Sequence, residues 1–499
     1  MPGRIISRKV DLPLEPHELF VRAAAAVPDG SGVSFLDSSL VHERFGTRSV
    51  LAWRPARVLS SKGRSGEVRS GGDLQRRQGS PFELLREELA ARRSDPPPAE
   101  APWGFTGAVG YLGYDLCHSV ERLPRTVPDE EGLPDLYFAF YDSALVYDHV
   151  TGTWTAAARD RPGGRPAGEL IESMLDEAAS FPAAAADVPA GYEILTGEAP
   201  LESNFRRAEY EAAVARAIEY IAAGDIFQVN LSQRFTAGWP RASGAVGLYS
   251  ALRRVNAAPF AAYLGLGGGR SVLSSSPERF LLVEGPRVET RPIKGTRPRG
   301  ATEIEDERLR AELLASEKDL AEITMIVDLE RNDLGRVCDY GSVRVLERAT
   351  LESYARVHHL VATVVGELHD RYDLVDLLKA TFPGGSITGA PKVRAMEIID
   401  ELERCQRSVY CGAVGYISDS GAMDLNIAIR TMLYSGGASG DGRVTFQVGG
   451  GIVADSDPAA EYQETLDKAR ALIEALRTGR RAQPAAAPSV AGGAEEAAT

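Results

Sequence analysis

The chain has 499 residues, 44% of them apolar and 25% charged, and a formal net charge of −14. This acidic balance excludes most nucleic-acid-binding proteins, whose binding surfaces are basic. The four cysteines lack the CxxC spacing of a zinc site or a disulfide framework, and the sequence contains neither a run of 18 apolar residues nor an apolar leader segment. The composition therefore predicts a soluble, cytoplasmic protein with reduced thiols.

Four portions follow one another along the chain. Residues 1–155 carry short apolar runs broken by Gly, Pro and Asp, which predicts a β-rich N-terminal portion with few helices. Residues 156–202 are rich in Ala, Pro and Gly and are interpreted as a connection. Residues 203–478 carry the clearest helix and strand patterns, and the low-complexity segment 479–499 predicts a disordered tail.

Within the third portion, Ser203 and Asn204 are candidate caps of a helix that Gly224 ends, and residues 302–333 predict a long, interrupted helix. Further helices are predicted at about 355–365, 373–380, 391–403 and 458–477. Strands are predicted for VNLSQRF, SVLSSSPERFLLVEG, PRVETRPIKGT, SVRVLERATLES, CGAVGYIS, MDLNIAIRTMLYS and RVTFQVGGGIV.

Two pairs of carboxylates have helical spacing. Asp319 and Glu322 lie three residues apart in one predicted helix, and Glu461 and Glu464 repeat that spacing in the last one. On facing helices the two pairs would offer four carboxylates to a hard cation such as Mg²⁺. The alternative is that both pairs belong to solvated helix faces.

Two glycine-rich loops could bring backbone N–H groups to an anion. FPGGSITGAPK places Ser386 before a helix, but the residues that follow do not match a nucleotide-binding P-loop. The loop Gly449-Gly450-Gly451 also allows close approach of a ligand, although either loop could be an ordinary tight turn.

Three polar side chains near these loops are candidate ligands of a bound acid. Arg430 is predicted to be a cation within an apolar strand, where it needs an anionic partner from the protein or a ligand. Tyr410 and His359 can donate hydrogen bonds to such an acid, or can be packed and satisfied side chains.

The stretch TRPIKGTRPRG places Lys294 within five residues of Arg291, Arg297 and Arg299. Nearby positive charges disfavour an ammonium, so we expect its pKa to be lowered. A lysine that is partly deprotonated can act as a nucleophile.

Together these segments resemble the chorismate-utilising enzymes, the family of anthranilate, aminodeoxychorismate, isochorismate and salicylate synthases. The resemblance covers about residues 204–475 and implies an α/β fold with two antiparallel-rich sheets packed face to face and helices outside. It rests on these motifs, in order: DIFQVNLSQRF, SSSPERF, PIKGTRPRG, MIVDLERNDLGRV, FPGGSITGAPKVRAMEIID, YCGAVGYIS, AIRTM and GGGIVADSDPAAEYQETLDKA.

The resemblance implies a dicarboxylate substrate, chorismate, whose ring carboxylate lies on Mg²⁺. Glu322 and Glu464 would hold the metal, and Asp319 and Glu461 its water ligands. Glu278 would be the general acid and base near the leaving 4-hydroxyl. The other residues implied to contact the substrate or act in the site are His359, Ser386, Tyr410, Arg430, Gly449, Gly450 and Gly451.

Two positions separate the branches of the family. Gln228 stands where water-using members have a lysine, which favours ammonia as the nucleophile. Lys294 stands where anthranilate synthases usually have alanine, so the chain resembles component 1 of aminodeoxychorismate synthases. These transferases act in para-aminobenzoate and folate biosynthesis or in secondary metabolism. Lys294 would form a covalent intermediate at ring C2 before ammonia enters at C4.

None of the cysteines lies in the G-x-C-x-G setting of a glutaminase nucleophile, so we expect a separate glutamine amidotransferase subunit to supply ammonia. The alternatives are component 1 of an anthranilate synthase and a non-catalytic subunit that senses tryptophan. The segment SFLDSS resembles the family's tryptophan pocket and offers Ser38 as a contact.

Overall fold

The computed structural model describes residues 3–27, 31–42, 44–98, 101, 104–160, 163–182, 201–240, 244–354, 357–436 and 442–479. The predicted tail beyond residue 479 lies outside these ranges. So do residues 161–162 and 183–200 of the predicted connection, whose other residues include the end of a strand and a helix. No helix in the described ranges is both long and apolar enough to span a membrane.

The described residues form these helices: α1 (Pro16–Ala26), α2 (Pro81–Arg92), α3 (Ala167–Ser180), α4 (Arg207–Ala222), α5 (Gly244–Val255), α6 (Glu303–Ala315), α7 (Glu317–Gly335), α8 (Leu374–Thr381), α9 (Lys392–Leu402) and α10 (Pro458–Gly479). Short 3₁₀ turns span Tyr114–Ser119 and Gly385–Ile387.

Strands β1 to β25 follow one another in the chain as Gly3–Val10, Ser34–Asp37, Arg48–Ala52, Arg57–Lys62, Ser65–Ser70, Asp73–Gln78, Ser94–Asp95, Gly107–Leu112, Leu136–Tyr141, Ser143–Asp148, Thr153–Asp160, Glu202–Ser203, Gln228–Trp239, Phe260–Gly267, Arg270–Ser276, Arg279–Glu284, Arg287–Arg291, Ile293–Pro298, Arg344–Ser353, Val357–Glu367, Gly389–Ala390, Ala413–Ser418, Met423–Ile427, Thr431–Ser435 and Gly442–Ile452.

These strands form two large sheets. The first has the order β12-β13-β25-β24-β15-β14-β2-β3-β10-β11-β1-β7, with β21 beside β13. The second has the order β18-β20-β17-β16-β23-β22-β8-β9-β4-β5-β6, with β19 beside β20. Neighbouring strands are antiparallel except for β1 and β7. Strands of the N-terminal portion thus lie beside later strands in both sheets, as in the pairs β2–β14 and β8–β22.

An apolar layer holds the two sheets face to face. It includes Val50 and Val272 from the first sheet and Val109, Ala139 and Val414 from the second, all less than 9% exposed. Burial of such side chains is worth about 1.5–3 kcal/mol each. Helices cover the outer faces. One apolar cluster joins α1, α3, α5 and α10 to the first sheet, and another joins α7 and α8 to the second sheet and α4 and α9 to β13 of the first. The predicted fold class is confirmed.

Two element predictions are wrong. The helix predicted at about 355–365 is replaced by the strand β20 (Val357–Glu367), which pairs with three neighbours in the second sheet. Its β-branched residues suit a strand that is buried on both faces. The caps of α4 also differ, because the Asn204 side chain accepts from the Arg234 N–H (2.8 Å) and the helix begins only at Arg207.

The long charged segment forms two helices, α6 and α7. Ser316 separates them, and its hydroxyl accepts a hydrogen bond from the Asp319 N–H (3.3 Å) as the N-cap of α7. A serine at an N-cap satisfies a backbone donor that the helix leaves free. The cap fixes where α7 begins and therefore which face of α7 presents its first carboxylates.

Candidate active site

The candidate site lies where the end strand β18 of the second sheet approaches β13 and β25 of the first. Lys294 lies in β18, beside Gly295, whose φ of +71° interrupts the register with β20. A glycine with positive φ is typical of a β-bulge, which redirects the neighbouring side chain. The Lys294 Nζ donates to the Ser386 carbonyl oxygen (3.0 Å).

Burial is the main cause that lowers the pKa of Lys294, and the charges of Glu322 and Glu278 oppose it. The direction agrees with the sequence-based expectation, but the expected cause is wrong. Arg297 pairs with Glu312 (2.8 Å), Arg299 pairs with Asp306 (2.7 Å), and Arg291 pairs with Glu352. These ion pairs compensate the three arginines, so desolvation of the ammonium is the dominant effect.

Glu278 is the proposed acid and base partner of this lysine. It is 4% exposed, and burial raises its pKa, while hydrogen bonding to the Ser386 side chain and the charge of Lys294 oppose that rise. Its Oε1 also accepts from the Ile293 N–H at 3.4 Å. Burial thus shifts the pKa of each partner toward its uncharged form, and the charge of each partner opposes the shift of the other.

Arg430 does not lie within a strand, contrary to prediction. It occupies the bend between β23 and β24 with a φ of +50°, and its Nη1 donates to the Asn256 Oδ1 (3.0 Å). Among the described residues no carboxylate is within ion-pair distance of it, and burial lowers its pKa. A partly buried guanidinium without a counter-charge in the described residues is suited to binding an anionic ligand.

His359 lies in β20 next to this arginine. Its Nδ1 is 2.8 Å from the Thr296 Oγ1, and burial followed by the charge of Arg430 lowers its pKa to about 3. The imidazole is therefore neutral at physiological pH. In that form one ring nitrogen donates and the other accepts, so the ring can hold a polar substrate group without adding charge.

Tyr410 lies in the turn before β22, with the Arg407 guanidinium 5.9 Å from its ring centroid. Burial and the neighbouring Cys411 raise the pKa of Tyr410 well above the ordinary value, and the two side chains are hydrogen-bonded to each other. The charge of Glu278 in turn helps to raise the pKa of Cys411. The turn therefore adjoins the site, and Tyr410 is present as a neutral hydroxyl.

The glycine loop 449–451 forms the end of β25. A side chain at Gly450 would place its Cβ 3.0 Å from the Glu461 Oε2 and 3.4 Å from the Glu464 Oε1, and one at Gly451 would lie 2.4 Å from the Gln228 Nε2. Gln228 is fully buried, and both of its amide atoms lack a hydrogen-bond partner among the described residues. Glycine therefore lets these polar side chains approach the backbone more closely than any other residue would.

The two pairs of carboxylates lie on neighbouring elements, α7 and α10, which the ion pair between Lys318 and Glu461 (3.8 Å) also joins. The charges of Glu322 on α7 and Glu464 on α10 both act to raise the pKa of Lys294. The charge of Glu464 also acts to raise the pKa of Glu322. Burial raises the pKa of Glu322 and of Glu461. For Glu464 burial is also the largest single effect, but the charge and hydrogen bond of Lys468, with the charges of Lys318 and Lys294, together lower its pKa.

These carboxylates could hold a divalent cation only if a substrate supplied further oxygen ligands. Among the described residues no three His, Cys, Asp or Glu side chains are close enough to hold a metal ion by themselves. Mg²⁺, however, commonly takes one or two carboxylates and completes its shell with water and substrate oxygens. The buried Glu461 Oε2 has no hydrogen-bond partner in the described residues, which is consistent with a missing ligand at this point.

Two residues of the site were not predicted from the sequence. Lys468 donates to the Gly449 carbonyl oxygen (2.8 Å) and pairs with Glu464 (2.7 Å), and its charge also helps to lower the pKa of Lys294. Its position four residues after Glu464, on the same helix face, is a signal that could have identified it. Asn256, the partner of Arg430, has no such local signal.

Ser38 lies apart from these groups. Its hydroxyl donates to the Arg48 carbonyl oxygen (2.5 Å), and it lines a cavity of about 440 Å³ between α1 and α5. His17, His149 and Arg253 line the same cavity. The structure thus brings the expected catalytic and metal-binding residues together and leaves Ser38 at a second location.

Comparison with known proteins gives a consistent result. The family described as chorismate binding enzyme matches residues 37–474. The chain is 43% identical over 415 residues to anthranilate synthase component 1 of Streptomyces coelicolor, covering 81% of this chain and 79% of the relative. It is 40% identical over 437 residues to aminodeoxychorismate synthase component 1 of Klebsiella aerogenes, covering 88% and 91%. The crystal structure of anthranilate synthase component I from Streptococcus pneumoniae matches with a TM-score of 0.73 at 32% identity, covering 87% of this chain and 94% of that one.

Proposed function

The chain belongs to the chorismate-binding enzyme family, and from this premise we propose that it is component 1 of an aminodeoxychorismate synthase. It would convert chorismate and ammonia to 4-amino-4-deoxychorismate, for para-aminobenzoate and folate biosynthesis or for secondary metabolism. The observation that supports this choice within the family is the position of Lys294, whose pKa is lowered by burial, next to Glu278, whose pKa is raised by burial.

In the first step the neutral Lys294 Nζ forms a bond to ring C2. The two ring double bonds shift, and the bond between C4 and its hydroxyl oxygen breaks. Glu278 gives its proton to that oxygen, which leaves as water, and then takes the proton that Nζ releases. The contact of both side chains with Ser386 holds the nucleophile and the acid on the same side of the site.

In the second step ammonia forms a bond to C4, and the double bonds shift back. The bond between C2 and Nζ breaks, and the proton that ammonia loses returns to the amine of Lys294. The net change is the exchange of the 4-hydroxyl for an amino group with release of one water. Two displacements explain why the nitrogen enters at the carbon that lost oxygen.

Substrate binding follows from the charges of the site. The uncompensated Arg430, the hydroxyl of Tyr410 and the backbone of residues 449–451 would bind the enolpyruvyl carboxylate, and Ser386 would lie near the ring carboxylate. Glu322 and Glu464 would hold Mg²⁺, with Asp319 and Glu461 holding its water. The metal ion would supply a counter-charge to the ring carboxylate.

Ammonia would come from a separate glutamine amidotransferase subunit, since the relatives are named component 1 and this chain has no cysteine in a glutaminase setting. The buried amide of Gln228, without a hydrogen-bond partner among the described residues, stands where water-using members of the family carry a lysine. An amide can accept a hydrogen bond from ammonia but cannot deprotonate water.

The covalent step can be tested directly. Purified protein is mixed with chorismate and Mg²⁺ without ammonia, quenched in acid and digested, and the peptide that contains Lys294 is weighed by mass spectrometry. A mass increase equal to chorismate minus water supports the proposal. An unmodified peptide at every time point, from protein that turns over when ammonium is present, contradicts it.

The second candidate is component 1 of an anthranilate synthase. Relatives with that name match at 43% identity, as closely as those named for aminodeoxychorismate. In that enzyme ammonia would add at C2 without a lysine intermediate, and pyruvate would be lost. Tryptophan binding near Ser38, alone or with catalysis, is a separate proposal that a binding measurement without Mg²⁺ would test.

A further inference from the structure

The charge of Arg430 is not balanced within the described protein. Its side chain reaches one neutral acceptor, the Asn256 Oδ1 at 3.0 Å, and burial lowers its pKa without any opposing carboxylate. Its charge also acts on His359, where it adds to burial. The fold therefore keeps an unneutralised cation at the place where a substrate carboxylate would bind.

The orientation of Asn256 is fixed from both sides. It directly follows α5, and its N–H donates to the Leu252 carbonyl oxygen (2.8 Å). Its Nδ2 donates to the Ser275 Oγ (2.9 Å) and, more weakly, to the Ser275 carbonyl oxygen (3.2 Å). Ser275 in turn donates its hydroxyl to the Asn256 carbonyl oxygen, so the amide nitrogen is committed and the Oδ1 must face Arg430.

The backbone of β15, the strand that contains Ser275, also positions Arg430. The Ser275 N–H donates to the Arg430 carbonyl oxygen (3.1 Å), in the bend where Arg430 has a positive φ. Ser275 thus contacts both Asn256, which accepts a hydrogen bond from the guanidinium, and Arg430 itself. This arrangement defines where the remaining N–H groups of Arg430 point.

We infer that Asn256 is a positioning residue that orients Arg430 through a neutral acceptor and so leaves the full positive charge for the carboxylate of the substrate. The inference rests on the proposed function only in that chorismate is the ligand. Aspartate has the same shape, but its carboxylate would form an ion pair with Arg430 inside the protein. A substrate carboxylate would then compete with that internal partner.

The test is the dissociation constant of chorismate, measured by calorimetry with Mg²⁺ and without ammonia, with every protein compared in a Lys294→Ala background so that no covalent adduct forms. We expect Asn256→Asp to weaken binding on the order of 100-fold, the scale of a buried charge interaction. Asn256→Ala should weaken it only about tenfold, because it removes the orienting hydrogen bond but not the charge. Gln78→Glu adds the same charge on the exposed strand β6 and should leave binding unchanged.

A chorismate analogue with its side-chain carboxylate converted to an amide separates this role from a structural one. It should bind Asn256→Asp about as well as wild type, because the ligand charge that the aspartate opposes is gone. Equal affinities of Asn256→Asp and Asn256→Ala for chorismate would overturn the inference, as would an equal loss for the amide. If wild type binds chorismate but releases anthranilate, the proposed function fails and the inference stands. If wild type does not bind chorismate, both fail.

Discussion

The Lys294 Nζ lies 3.0 Å from the Ser386 carbonyl oxygen, and the hydroxyl of the same serine bonds to Glu278. One residue of the loop before α9 therefore holds both the nucleophile and its acid. The Asn230 Nδ2 also donates to this carbonyl oxygen (2.8 Å), so the loop is tied to β13 of the first sheet. The pair is positioned by a junction of the two sheets and does not depend on one element alone.

Glu278→Gln should lower kcat by about 10²- to 10⁴-fold, the range of a general acid. Glutamine keeps the shape of the buried side chain and can still bond to Ser386, but it cannot give a proton to the leaving hydroxyl. The affinity for chorismate should change little. Steady-state kinetics with saturating ammonium measures the first effect and calorimetry the second; an unchanged kcat would remove Glu278 from the mechanism.

Glu464→Gln should raise the Mg²⁺ concentration needed for half-maximal activity by at least about tenfold, because a carboxylate ligand is replaced by a neutral amide. Chelation of divalent ions should abolish turnover of the wild type. Glu474→Gln is the matched control, since Glu474 is exposed on the same helix, ten residues after Glu464. An Mg²⁺ titration of the three proteins tests this; a Glu464→Gln curve identical to the control would contradict the assignment.

Alanine substitutions at neighbouring glycines should have different effects. At Gly449 the added Cβ would lie 2.4 Å from the backbone oxygen of Leu231, which cannot move freely, so Gly449→Ala should destabilise the fold by about 1–3 kcal/mol. At Gly450 it would instead meet the carboxylates of Glu461 and Glu464. Gly450→Ala should therefore impair Mg²⁺-dependent activity with little change in the free energy of unfolding, and urea denaturation combined with kinetics would detect a reversed pattern.

Stability should fall in acid partly because of His17. Burial, followed by Arg253 and Arg254, lowers its pKa from 6.5 to about 4. As the pH falls, the unfolded state therefore binds a proton at His17 before the folded state does. The free energy of unfolding decreases as the pH falls from about 6.5 toward 4. Between pH 7 and pH 5 the wild type should lose about 1–2 kcal/mol more than His17→Gln. Urea unfolding at both pH values tests this, and equal losses would show that His17 does not titrate as described.

Much of the site could be predicted from local sequence. The spacing of Asp319 with Glu322, and of Glu461 with Glu464, was enough to place each pair on one helix face, since that geometry depends only on the helix itself. The lowered pKa of Lys294 was also expected. Its cause was not, because the sequence shows that arginines are near in the chain but not that each has a carboxylate partner from α6 or β19.

What local sequence did not provide depends on contacts between distant residues. Strand β20 is a short apolar run without clear periodicity, and only its pairing with β17, β18 and β19 makes it a strand. In the same way, the contact of Asn256 with Arg430 joins residues 174 positions apart. The two-sheet arrangement followed from family resemblance and not from strand patterns.

The central claim is that Lys294 directs ammonia to C4. The most direct test is product analysis of purified protein with chorismate, Mg²⁺ and an ammonium salt as the amine donor, comparing wild type with Lys294→Ala. We predict that wild type accumulates 4-amino-4-deoxychorismate and that the variant loses this product or forms anthranilate. Anthranilate from wild type, in amounts that Lys294→Ala matches, would contradict the account and identify the chain as component 1 of an anthranilate synthase.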